Sequence, residues 1–109
     1  MTVTTLSEQD FRVRSDAALE QARRALLPLS DLQGFEVEFS EGTLNVMFDE
    51  PSEGRFVVSP NAPVRQIWVS AMAKSYKLSW EPDTATFALN GETLVQLLDR
   101  LARSFLALS

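Results

Sequence analysis

Hydrophobic positions follow a three-and-four rhythm at both ends of the chain and an every-other rhythm between them. From Ser7, with Asp10 three residues on as a short-armed relative of the capping box, Phe11, Ala18, Ala22, Ala25 and Leu29 fall on one helical stripe. Asp16, Glu20, Arg23 and Arg24 gather on the opposite face, so the pattern predicts an amphipathic helix running toward Pro28. Near the other end Leu94, Leu97, Leu98, Leu101, Phe105 and Leu108 repeat at helical spacing, with Asn90 as the expected cap.

Between these helices the apolar residues alternate. Phe35, Val37 and Phe39 take turns with Glu36, Glu38 and Ser40, and the turn Glu41-Gly42 leads to Leu44, Val46 and Phe48, a hairpin by pattern. An acidic turn from Asp49 to Gly54, with Pro51 inside it, precedes Arg55 to Ser59. A strand around Trp68, the strand Tyr76 to Trp80 and a short one from Thr86 to Leu89 follow. One helix at each end and about six strands predict an α+β two-layer sandwich: an antiparallel sheet with both helices on one face and the other face wet. No repeat or linker divides the 109 residues, so a single domain spanning 1–109 is expected.

One residue breaks the pattern. In Gln66-Ile67-Trp68-Val69-Ser70 the apolar Ile67 and Val69 share one parity, and Trp68 shares the other with Gln66 and Ser70. A large aromatic among hydrogen-bonding groups on the polar side of a strand is the pattern of a binding anchor. The ordinary alternative is local packing under a loop or a neighbouring strand.

Composition narrows the chemistry. Cysteine and histidine are absent, which removes disulfides, thiolate nucleophiles, His-based relays and nitrogen or sulfur zinc ligands. Any metal would be held by oxygen, and catalysis is not expected. Residues 1–54 carry eleven acids against four arginines, whereas the remainder carries six basic and four acidic residues within a net charge of −5. An acidic half repels phosphate backbones and attracts cations or basic protein surfaces, so nucleic acid is a poor partner. No apolar run approaches a membrane span, and residues 1–6 lack the features of a secretory signal; a soluble, cytoplasmic monomer is expected.

The four glycines are scattered, so no phosphate-binding loop is present. Carboxylates remain. Glu8 and Asp10 near the start of the first helix, Asp16 and Glu20 one turn apart on it, and Glu36 and Glu38 on one strand face form a candidate rim of oxygen ligands. Such a rim suits iron or calcium at low affinity, and its ordinary reading is a solvated face.

The acidic first helix, the acid-x-acid first strand, Pro63-x-x-Gln66-Ile67-Trp68-x-Ser70, the aromatic strand from Tyr76 to Trp80 and Gly91-Glu92-Thr93-Leu94 before a leucine-rich helix together resemble the frataxin family, including its bacterial CyaY members. The resemblance runs from about Ser7 to Leu106 and implies two helices on an antiparallel sheet. It also implies weak, carboxylate-held iron, ferrous or ferric, on an acidic ridge, and association with the cysteine desulfurase and scaffold of iron-sulfur cluster assembly. Asp10, Asp16, Glu36 and Glu38 fall where the family carries ridge acids. Asn61, Gln66, Ile67 and Trp68 fall at its sheet motif, as partner-binding candidates. Arg23, Arg24, Leu27 and Pro28 interrupt the ridge late in the first helix, and Arg12 stands near its start where relatives have histidine. An acidic interaction module without a physiological metal is the alternative function.

Overall fold

A computed structural model describes residues 6–50 and 52–107; the expectations attached to residues 1–5, Pro51 and Leu108 lie outside the described residues. The elements are α1 (Glu8–Gln33), β1 (Glu36–Ser40), β2 (Thr43–Phe48), β3 (Gly54–Asn61), a single 3-10 turn (Ala62–Val64), β4 (Gln66–Ala71), β5 (Lys74–Glu81), β6 (Thr86–Leu89), β7 (Glu92–Thr93) and α2 (Leu94–Phe105).

Ser7 caps α1 as expected, its hydroxyl accepting the Asp10 backbone N–H, and Gly34 closes the helix at φ 78°, a conformation that glycine adopts without a Cβ clash. Two expectations for α1 are corrected. The helix continues through Pro28 to Gln33, because Pro28 lies on the exposed side, where the Arg24 carbonyl it leaves unpartnered is open to water. The buried stripe is Phe11, Ser15, Leu19, Ala22, Leu26 and Leu29, turned roughly 40° from the expected one; Ala25 is exposed because the larger Leu19 and Leu26 claim the core.

Each strand pairs antiparallel with its chain neighbour, giving one sheet in the order β1-β2-β3-β4-β5-β6-β7. Seven strands stand where about six were expected. The extra one, β7, is two residues long, too short to have a periodicity. Asn90 and Gly91, at φ 52° and 82°, form the two-residue turn that returns the chain into it. Asn90 therefore shapes a hairpin, and Thr93 caps α2 instead: its hydroxyl accepts the Gln96 N–H while Gln96 Oε1 accepts the Thr93 N–H.

α1 and α2 pack against each other and against the face carrying Leu44, Val46, Val58, Ile67, Val69 and Leu78. At one end of this core Phe48 sits with its ring centroid 4.5 Å from Phe105, 4.8 Å from Phe35 and 5.0 Å from Phe56. Gly54 begins β3 beside them; a Cβ there would stand 2.5 Å from Phe105 Cζ, so the missing side chain is the space the aromatic ring fills. The opposite face of the sheet is left to solvent. No helix among the described residues is long and apolar enough to cross a membrane.

Candidate functional site

The uncovered face of the sheet carries the polar-parity residues of every strand, and Trp68 stands near its middle. Ser59 lies opposite it on β3 and Lys77 opposite it on β5. The indole is 38% exposed, its Nε1–H donates to Gln66 Oε1 at 3.0 Å, and Gln66 Nε2 donates to Ser79 Oγ at 3.3 Å. Lys77 Nζ sits 4.8 Å from the ring centroid, within cation–π range. The ring thus keeps one apolar face in water while its polar edge is satisfied within the chain. Such a side chain loses little on desolvation and brings a large area to a partner. Beside it Val57, Ser59, Ser70, Ser75 and Lys77 line a shallow cleft of about 300 Å³.

The other sheet-motif residues divide. Gln66 and Asn61 are half-buried partners at the β3–β4 end, and Gln66 orients the indole. Ile67 is a correction: it is 0% exposed, in the core beneath the helices, and presents nothing to a partner. Its backbone fixes the parity that turns Trp68 outward. Sequence reading placed Ser70 on the Trp68 face but missed Lys77, Ser59 and Ser75; the cross-strand register that brings them to Trp68 was the signal needed.

The candidate metal ligands do not converge. Among the described residues no three acids approach closely enough to hold one metal ion. Glu36 and Glu38 are exposed on β1 at the sheet edge; through the pairs Glu38–Asn45, Asn45–Val57 and Val57–Ser70, Glu38 stands three strands from Ser70, roughly 14 Å. Their parity puts them on the same solvent face as Trp68, whereas Asp10 and Asp16 are exposed on α1 in the helix layer. Glu8 accepts from Arg12 Nη2 at 2.7 Å. Glu20 is held more fully: Arg23 donates through Nε and Nη2 at 2.9 and 2.7 Å, and Arg24 Nε adds a third bond at 2.9 Å.

The hydrogen bonds from Arg23, then Arg24, hold the Glu20 carboxyl down at about 2, and that from Arg12 lowers Glu8 from its ordinary value. Because the folded value of Glu20 lies below the unfolded one near 4.5, its pairing contributes stability above that pH and loses it as pH falls through about 2. A carboxyl-detected NMR titration should find Glu20 ionised well below pH 4, and Arg23→Gln should move its midpoint up. A Glu20 midpoint near 4.5 in the unsubstituted protein would refute the clamp.

The frataxin-like domain family model matches residues 4–107. The chain belongs to the frataxin family. It is 31% identical over 108 residues to mitochondrial frataxin of Caenorhabditis elegans, covering 93% of this chain and 78% of that protein. It is 33% identical over 72 residues to the iron-sulfur cluster assembly protein CyaY of Cupriavidus metallidurans, covering 65% of this chain and 64% of that one. The solved structure of frataxin from Psychromonas ingrahamii superposes with a TM-score of 0.69 over 95% of both chains at 9% identity, a likeness of fold. Two helices on one antiparallel sheet are thus the frataxin architecture, which this chain shares.

Proposed function

We propose that this chain is a non-enzymatic modulator of iron-sulfur cluster assembly that docks on the cysteine desulfurase and its scaffold, with Trp68 as the anchor. The observation that carries the reading is the indole itself, exposed in the middle of a mainly polar sheet face with its N–H already satisfied by Gln66. Family membership and the name of the bacterial relative support the process. The acids of residues 1–54 steer the chain onto a basic partner surface.

Binding to purified desulfurase and scaffold, followed by surface plasmon resonance, tests this reading. Association should slow as salt rises, since exposed charges are screened within about 8 Å at physiological ionic strength. Salt-independent association would remove the steering role, and no binding at all would remove the function.

Iron enters this reading as cargo. Of the six candidate acids, Asp10, Asp16, Glu36 and Glu38 have no arginine partner among the described residues, and iron would touch them singly and weakly. Glu8 and Glu20 offer less, because a cation must displace guanidinium groups to reach them. Replacing Arg23 and Arg24 by glutamate should strengthen ferrous iron binding and extend amide shifts along α1 in an anaerobic titration; unchanged affinity would take α1 out of the iron site. The second reading, an interaction module without a physiological metal, is favoured by the dispersal of the acids. Ferrous iron that shifts no amide near Asp10, Asp16, Glu36 or Glu38 would decide for it.

A further inference from the structure

On the helix side of the molecule, away from Trp68, a gap of about 280 Å³ opens between the middle of α1, the β5–β6 hairpin and the start of α2. Its walls are mainly apolar, with Ala18 and Ala25 on α1, Trp80 and Phe87 on the hairpin and Val95 on α2. Trp80 and Phe87 meet edge to face at 5.2 Å, and Phe87 in turn meets Phe11 at 5.6 Å, so the aromatic wall is braced from behind by the core. Arg14 also lines the gap, its guanidinium carbon 5.4 Å from the Trp80 ring centroid.

Arg14 differs from its neighbours in kind. Arg12, Arg23, Arg24, Arg100 and Arg103 each hold a carboxylate within 3.0 Å, whereas Arg14, like Arg55 and Arg65, has no carboxylate partner among the described residues, and of these three only Arg14 lines the apolar gap, in a chain of net charge −5. Stacking on an indole leaves the outward N–H groups of a guanidinium open, in the planar geometry that receives a carboxylate. One cation beside an apolar gap defines the ligand by its charge: a polyanion would leave charge uncompensated against an acidic chain, and a neutral hydrocarbon would leave Arg14 unused. The volume lies just under the roughly 300–1,000 Å³ of small-molecule sites, which limits the body to about two fused rings or their equivalent.

We propose that this gap is a binding site for a small apolar monocarboxylate, its anionic end on Arg14 and its hydrocarbon body against Trp80, Phe87 and Ala18. The site is independent of the proposed docking face, because it lies on the other side of the sheet and shares no lining residue with the Trp68 cleft.

The test is a titration of the isotope-labelled protein with 2-naphthoate and, separately, with its neutral amide, 2-naphthamide, followed by amide and indole NMR signals. 2-Naphthoate is expected to shift the Trp80 indole N–H and the amides of Ala17, Ala18 and Thr93, to leave the Trp68 indole unmoved, and to bind about tenfold more tightly than the amide. Arg14→Gln, at an exposed position, should bring the naphthoate affinity down to that of the amide. Ala25→Leu, also exposed, should fill the gap and weaken both ligands. Shifts centred elsewhere, equal affinity for acid and amide, unaltered binding by the Arg14→Gln protein, or no shift up to the solubility of the ligand would each overturn the proposal.

Discussion

Alanine substitution of two adjacent residues should give opposite results. Ile67→Ala is expected to cost about 2–5 kcal/mol of folding stability, the range for emptying a fully buried aliphatic position. Trp68→Ala should cost well below the roughly 3–5 kcal/mol of a buried large aromatic, since 38% of the residue is already in water and what is lost is its packing on the sheet face, its bond to Gln66 and its contact with Lys77. The order reverses for partner binding. Loss of an aromatic anchor weakens a complex by about 2 kcal/mol or more, some thirtyfold, whereas the Ile67→Ala protein, where folded, should bind nearly as before. Urea denaturation and a binding titration of both variants provide the check; a Trp68→Ala protein that loses several kcal/mol of stability and keeps its affinity would return the indole to a structural role.

Phe48→Ala is expected to be among the most damaging single substitutions in the chain, at about 3–5 kcal/mol. Phe48 is 3% exposed and its ring touches three others, drawn from the residue before β1, from β3 and from the end of α2. Removing it opens a cavity and also unseats Phe105, the contact through which the last turn of α2 meets the start of β3 at Gly54. Against a total stability of roughly 5–15 kcal/mol for a domain, the variant should melt well over 10 °C lower or fail to fold at 37 °C. A loss under about 1 kcal/mol would mean that Phe35, Phe56 and Phe105 close over the gap.

Much of this was legible in the order of residues. Alternation at Phe35-Val37, Leu44-Val46-Phe48 and Ile67-Val69 is a direct imprint of burial on one face, and the leucine repeat of α2 is the same imprint at helical period. The exposure of Trp68 and the burial of Ile67 followed from parity alone; family resemblance, which groups them in one motif, pointed the wrong way for Ile67. The missed features are those where two local meanings compete. Asn90 serves a helix cap and a hairpin turn equally well by chemistry, and only the pairing of Leu89 with Glu92 decides between them.

Register across β4 and β5 was hidden for another reason. The two-residue turn there is Met72-Ala73, at φ 50° and 63°, where no glycine or asparagine marks it. Without that turn the pairing of Trp68 with Lys77 could not be read, nor the serine-lined cleft around it. The gap at Arg14 was still further out of reach, since its walls join α1 to a hairpin and a helix start more than fifty residues later in the chain. For the acids, sequence spacing gave their neighbours on α1 and β1 but not the layer that separates the two groups.

The open ends of the sheet have a consequence for how copies of this chain meet. A meander of seven strands leaves two edges, and an edge with free N–H and C=O groups is a template on which another chain can add. One edge ends in β7, only two residues long and continuous with α2, which offers almost no ladder. The other is β1, where antiparallel self-pairing centred on Val37 would set Glu36 of one copy against Glu38 of the next, like charge facing like charge at every second position. Glu36 and Glu38, considered above as iron contacts, thus also guard the sheet edge against pairing with a second copy.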